Sequence, residues 1–373
     1  MKIDRNRMNM EEKVMLELHT LYQQYGYSRY KMGKFENYDL YVQNKDFIST
    51  DSIIAFNDPN GKLLALKPDL TLSIVKNYRY LPGFDQKVFY SENIYRADRS
   101  SHDYKEIMQT GLECMGDIGL YDTFEVTMLA ARSLAAISSD YVLEVSHMGL
   151  VEDLLEPIDP RLHDDIIRCL SEKNGHEIRR LCEANDVDPD ALENLEILVS
   201  TYGDFRRVLK KLSKLKLTER GQAAIEQLRD VLTLMASYKL SSRVNVDFSI
   251  VNDLNYYSGI LLKGFVNGIP KPVLSGGQYD KLMTRMGKKG GALGFAVYLD
   301  GLDHLDRGSR EYDVDVVFQY TLEDDLTLMY KAVRKLTQSG ATVLVEKQIP
   351  SKLRYRRLVR LSGSEVVTVE QND

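Results

Sequence analysis

Gln109 and Glu113 stand four apart in IMQTGLECMGD, a run that reads as a strand, so both side chains fall on one face. A carboxylate beside an amide can hold an ammonium group. The alternative is a buried polar pair that fixes sheet register, because buried polar groups need partners whether or not a ligand binds. Arg96 ends the preceding strand, QKVFYSENIYR at 86–96, and enters a polar stretch where a guanidinium can clamp an anion. The alternative there is a surface arginine paired with Asp98 or Glu106. Gly276 and Gly277 precede Gln278-Tyr279-Asp280 and permit a tight turn or a close approach to ligand or backbone. They do not form a Walker loop, and GKKGG at 287–291 lacks the ending that such a loop needs, so its lysines read as solvated.

These groups need elements to hold them. Residues 11–25 carry Val14, Leu16, Leu18, Leu21 and Tyr22 at mostly helical spacing, with Glu11 and Glu12 suited to a first turn. A turn at Asp58-Pro59-Asn60-Gly61 leads into a short strand that ends before Pro68. A helix over 71–78 follows, capped by Thr71. The strand at 86–96 places Val88, Tyr90 and Ile94 on one face. The polar residues 97–105 form a loop with room to cover a ligand, and the chain returns antiparallel. The spacing predicts a helix over 121–137, a strand over 141–149 leading into the next helix, and a helical segment from about 151 to 240. Strands are expected at 244–251 and 257–266, then a glycine-rich stretch. Residues 306–313 read as a linker and 312–373 as a small α/β domain. Its RYRRLVR run at 354–360 is either a charged contact surface or an edge strand protected by basic residues.

Composition bounds the function. The 373 residues are 43% hydrophobic and 28% charged, ordinary for a globular protein with a large core and one smaller domain. A formal charge of -6 argues against a partner held by phosphate neutralisation, so nucleic acid is not expected. The three cysteines have no CxxC spacing, which argues against a disulfide framework or a zinc site. The N-terminal residues carry charges throughout with no apolar run, so neither signal peptide nor membrane span is expected, and the expected location is the cytoplasm.

KVFYSENIYRADRSSHDYKEIMQTGLECMGD at 87–117 resembles motif 2 of histidyl-tRNA synthetases and of their non-ligase paralogues, the HisZ family. The latter are regulatory subunits of short-form ATP phosphoribosyltransferase. The resemblance continues, in family order, through LALKPDLT at 64–71, NDLNYY at 252–257, SGGQYD at 275–280 and GGALGFAVYLDGL at 290–302. It covers most of residues 1–305. It implies an α+β fold: a class II aminoacyl-tRNA synthetase-like antiparallel sheet flanked by helices, with a helical insertion, in a core that usually dimerises. It also implies that Asp69, Thr71, Gln109, Glu113, Tyr257 and Tyr279 form an amino-acid pocket, the tyrosines walling and hydrogen-bonding an imidazole. Arg96 matches the arginine that meets the adenylate phosphate in the ligases.

The same comparison shows what is missing. Where the ligases carry RGLDYY, this chain has Asn252 for the arginine, Asp253 for the glycine and Asn255 for the aspartate. A neutral amide cannot balance the charge that develops in attack on ATP. Aligned without gaps, the motif 3 arginine falls on Gly301, which has no side chain. His102 and Lys105 are weak replacements, because each lost charge-assisted contact is worth roughly 1.5–3 kcal/mol. The resemblance therefore implies a regulatory subunit without catalytic residues, cofactor or metal. Its expected partner is a short ATP phosphoribosyltransferase catalytic subunit, its expected assembly a dimer within a hetero-oligomer, and its possible ligand histidine. A divergent histidyl-tRNA synthetase and a stand-alone amino-acid sensor are the rival readings.

Overall fold

The computed structural model describes residues 8–45, 47, 52–97, 103–251, 256–305 and 312–372. The chain divides into two units, Met1–Leu305 and Asp306–Asp373. Among the described residues no helix is long and apolar enough to cross a membrane.

The first helix, α1 (Met10–Gln24), starts on Asn9. Its side chain accepts from the Glu12 amide while Glu12 accepts from the Asn9 amide, a reciprocal cap. Then come β1 (Ser28–Arg29), β2 (Phe35–Asn37), α2 (Tyr38–Gln43), β3 (Ala55–Asn57), β4 (Leu63–Leu66) and α3 (Thr71–Asn77). The long strands β5 (Gln86–Ala97) and β6 (Tyr104–Gly116) precede α4 (Leu120–Ile137), β7 (Tyr141–His147) and α5 (Met148–Leu155). Helices α6 (His163–Ser171), α7 (Gly175–Ala184), α8 (Pro189–Val199), α9 (Phe205–Leu212) and α10 (Glu219–Ser237) form the helical segment. Its one break among these is β8 (Tyr202–Gly203), and α7 to α10 each start on a capping Asn, Asp or Thr. Strands β9 (Val244–Asp247), β10 (Ile260–Val266) and β11 (Leu274–Gln278), helix α11 (Asp280–Arg285) and β12 (Gly291–Tyr298) complete the first unit.

Its nine-stranded sheet runs β1-β5-β6-β12-β11-β10-β7-β9-β8. It is mixed: β1–β5 and β7–β9 pair parallel and the other neighbours antiparallel. Alternation along β5 sends Phe89 to one face, where Tyr22 of α1 and Leu129 of α4 join the large core. Val88, Tyr90 and Ile94 point to the other face, into a smaller core with Tyr41, Leu72, Val75 and Met283. That second face carries the candidate site.

Several boundaries differ from expectation. Thr71 does not cap α3: Leu70 holds the cap position without a side-chain bond, and the Leu72 amide donates to Asp69 Oδ1 at 2.8 Å. The strand expected over 244–251 stops at Asp247, whose carboxylate accepts from the Ser249 amide and turns the chain into a 3-10 turn. The strand expected from 257 begins at Ile260, and the return strand begins at Tyr104, inside the expected loop. The remainder of that loop, 98–102 with His102, lies outside the described residues, as do 306–311 of the linker.

In the second unit, β13 (Val314–Gln319), α12 (Leu326–Gln338), β14 (Val343–Glu346), β15 (Tyr355–Ser362) and β16 (Glu365–Gln371) form a sheet of order β14-β13-β15-β16. The basic run therefore does not lie on an edge strand: β15 is interior, and β16, exposed along its length, holds the edge.

Candidate functional site

On the second face of the large sheet, a cavity of about 80 Å³ is lined by Asp69, Thr71, Arg96, Gln109, Glu113, Tyr257 and Tyr279. The structure thus brings all seven residues named from the sequence around one cavity, although they come from five separate segments. Register does this. β6 sets Gln109 and Glu113 two residues either side of Gly111, and β12 answers with Tyr298 opposite Gln109 and Gly294 opposite Glu113. A Cβ at Gly294 would lie 1.7 Å from Glu113 Oε2, so the glycine there makes room for the carboxyl group. Gly276 and Gly277 lie within β11 rather than in a tight turn. Their missing side chains admit the backbone of Gly294 and the ring of Tyr257.

Glu113 is the centre of the polar network. The Thr71 hydroxyl donates to its Oε1 at 2.9 Å and the Tyr279 hydroxyl to its Oε2 at 2.6 Å. Glu113 is 2% exposed, and this burial pushes its pKa up to about 8 against the pull of the two hydroxyls. Burial also raises the pKa of Asp69, while the Leu72 amide and the charge of Arg96 draw it down. The phenols of Tyr90, Tyr256, Tyr257 and Tyr279 are likewise held neutral by burial. An enclosed pair of acids walled by neutral phenols favours a ligand that brings positive charge or donor N–H groups.

Arg96 is placed differently. Its Nε donates to the Pro68 carbonyl at 2.9 Å, not to Glu106, whose Oε1 accepts from Asn93 and Tyr95; Asp98 lies outside the described residues. Arg96, Ser275 and Tyr298 border the small cavity and also a larger one of about 360 Å³, whose wall includes Ile107, Lys263, Lys271 and Asp300. Gly301 sits next to that wall with φ +106 and open space around it. Asn252, Asp253 and Asn255 lie outside the described residues. Among the described residues no cluster of three or more His, Cys, Asp or Glu is placed to hold a metal. Cys114, Cys169 and Cys182 are free and buried.

Sequence reasoning did not assign Tyr90, Tyr256, Ser275, Tyr298 or Gly294 to the cavity, all of which line it. The signal for Tyr298 and Gly294 was present: they alternate in phase along GFAVY and fall opposite Gln109 and Glu113 once the β6–β12 register is known.

The histidyl-tRNA synthetase family model matches residues 3–302. The ATP phosphoribosyltransferase regulatory subunit of Oceanobacillus iheyensis is 25% identical, over 99% of this chain and 92% of that protein. Among solved structures, an ATP phosphoribosyltransferase regulatory subunit/histidyl-tRNA synthetase from Bacillus halodurans superposes with a TM-score of 0.79 at 23% identity, covering 94% of this chain and 93% of that one. The ATP phosphoribosyl transferase (HisG:HisZ) complex from Thermotoga maritima gives 0.62 at 21% identity, over 78% of this chain and 98% of the chain compared.

Proposed function

The chain belongs to the histidyl-tRNA synthetase family, and from that premise we propose that it is the regulatory subunit of an ATP phosphoribosyltransferase, the enzyme of the first step of histidine biosynthesis. It carries no phosphoribosyl chemistry of its own. A short catalytic partner condenses ATP with 5-phosphoribosyl diphosphate, and this chain, as a dimer within a cytoplasmic hetero-oligomer, keeps that partner active. Histidine occupies the Glu113 cavity through Asp69, Thr71, Arg96, Gln109, Tyr257 and Tyr279, and the coupling between that cavity and the partner is reciprocal, as linkage requires. Nucleic acid and membrane play no part.

The observation that carries this reading is the asymmetry of the site. The acid, amide and phenol wall is assembled, while the two positions where the ligase family places arginines hold Asn252 and Gly301. Co-purification with a short phosphoribosyltransferase tests it: the pair is active only together and is inhibited by histidine. A chain that stays a lone dimer and leaves the partner's activity unchanged overturns it. The assembled wall also favours a second reading, a divergent histidyl-tRNA synthetase. Histidine-dependent ATP–pyrophosphate exchange by the purified chain, lost in Arg96→Ala, would establish that reading instead.

A further inference from the structure

The helical segment pairs its arginines with acids except on α9. Arg161, Arg168, Arg179, Arg180, Arg220 and Arg229 each lie within ion-pairing distance of a carboxylate. Arg206 and Arg207, the other arginines between 151 and 240, are exposed and have no acid partner among the described residues. Lys210 and Lys214 are exposed and likewise lack one, and Lys211 Nζ donates to the Ser200 carbonyl at 3.0 Å. We propose that the outer face of α9 is a docking surface for a carboxylate-rich face of the catalytic partner. The proposal rests on the regulatory reading above and names a surface through which the two chains meet.

Three observations carry it. First, the arginines work against their own helix. The first turns of α6, α7, α8 and α10 carry Asp164 and Asp165, Glu177, Asp190 and Glu219, which suit the positive end of a helix dipole. The first turn of α9 has no acid and holds Arg206 and Arg207 instead. The carboxylate of the capping Asp204 accepts from the Arg206 amide at 3.1 Å. Lys210 and Lys211 lie in the last turn, where cations are favourable, so the arginines are the residues that folding does not explain. Second, α9 displays charge alone. Phe205, Val208 and Leu212 are buried, Arg206 and Lys210 stand one turn apart on one row, and Arg207 and Lys211 follow on the next. The Arg206 guanidinium lies 5.3 Å from the Phe205 ring, which holds it against the surface. Third, other occupants fit worse. A second copy presents the same basic face, so a two-fold contact through α9 sets like charges together. The buried apolar residues leave nothing to enter a membrane. Nucleic acid bases stack on open rings, but Tyr202, the exposed ring just before α9, already carries Lys173 Nζ on its face at 4.3 Å, and the chain has a formal charge of -6. An acidic protein face meets what is present, since guanidinium groups pair with carboxylates in fixed geometry.

The test is the rate at which the full chain associates with a short ATP phosphoribosyltransferase catalytic subunit, measured by surface plasmon resonance from about 50 to about 300 mM salt. For wild type the rate is expected to fall about 10-fold or more across that range, the mark of steered association. Arg206→Gln/Arg207→Gln/Lys210→Gln/Lys214→Gln should associate about 10-fold or more slowly at low salt, with a nearly flat salt dependence. Arg206→Lys/Arg207→Lys keeps the charge and should keep most of the rate. Arg179→Gln/Arg180→Gln, which removes cations already paired within the chain, should stay within about twofold of wild type. Thermal melting checks that each variant is folded, and the salt dependence of wild type needs no variant. A quadruple variant that associates at the wild-type rate with the wild-type salt dependence overturns the proposal. So does binding of a short RNA or of phosphatidylglycerol vesicles that the quadruple variant loses while its association with the catalytic subunit is unchanged. Wild type that does not bind the catalytic subunit at any salt removes the regulatory reading itself, whereas binding indifferent to α9 removes this proposal alone.

Discussion

Replacing Glu113 by Gln tests the central claim about the cavity, that its buried acid is largely neutral when the site is empty. Burial moves the Glu113 carboxyl from 4.5 to about 8, so between those values the folded chain holds a proton that the unfolded chain has released. Stability from this group is complete below pH 4.5 and is lost as pH rises through about 8. At roughly 1.36 kcal/mol per unit the whole window is worth at most about 5 kcal/mol, and coupling to Asp69 and hydration of the cavity bring the expected value to about 2–4 kcal/mol. The substituted amide has the same shape as the carboxyl group and does not titrate. Glu113→Gln should therefore match wild type or fall slightly below it at pH 5, and exceed it by about 2–4 kcal/mol at pH 8.5. Urea unfolding of the full chain, followed by circular dichroism between pH 5 and 8.5, measures both curves. The difference between the curves therefore reports Glu113 together with its coupling to Asp69. Parallel curves across the window would mean that Glu113 is ionised throughout, and the burial argument would fail.

Gly294→Ala forces a Cβ onto Glu113 Oε2; it should lower stability by roughly 1–3 kcal/mol and abolish the histidine binding proposed above, read by thermal melting and calorimetry. Lys67→Met strands Glu92, the partner of a fully buried lysine at 3.4 Å. Because Glu92 keeps some exposure, the loss should fall near the low end of ~3–5 kcal/mol, and Glu92→Leu in the same chain should restore most of it. Gly301→Arg places a side chain at φ +106, which strains the backbone by about 1–2 kcal/mol, and with Asn252 unchanged it should yield no ATP–pyrophosphate exchange above wild type in a radiolabel assay.

Much of this architecture was readable because local patterns and tertiary structure agree. Leu18 and Tyr22 lie where the helical period puts them, and Val88, Tyr90 and Ile94 share a core because strand period alone demands it. The failures lie where a side chain overrules the backbone pattern. Asp247 ends a strand that the apolar run FSIV would have continued, because its carboxylate takes the Ser249 amide. Thr71 looked like a cap, but its hydroxyl is drawn to Glu113, forty-two positions away, and no local rule registers that partner. The basic run at 354–360 could not be placed, because whether a strand is interior or edge depends on which strands join it. For the cavity, Gln109 and Glu113 follow from strand period, whereas Asp69, Thr71, Tyr257 and Tyr279 came from family likeness.

The geometry ties the cavity and the turn after β12 to the fold to different degrees. Glu113, Gln109, Gly294 and Tyr298 lie within strands whose pairing fixes them, and Thr71 sits in the first turn of a helix packed into the second core. Changing any of these disturbs register or packing as well as the pocket, so the cavity wall is tied to the stability of the sheet. Gly301 is of the opposite kind. It follows β12, has open space around it, and adopts a backbone conformation that glycine tolerates freely. The fold makes no use of a side chain at this position. The wall of the cavity is thus set by strand register and helix packing, whereas the turn at Gly301 can change without disturbing either.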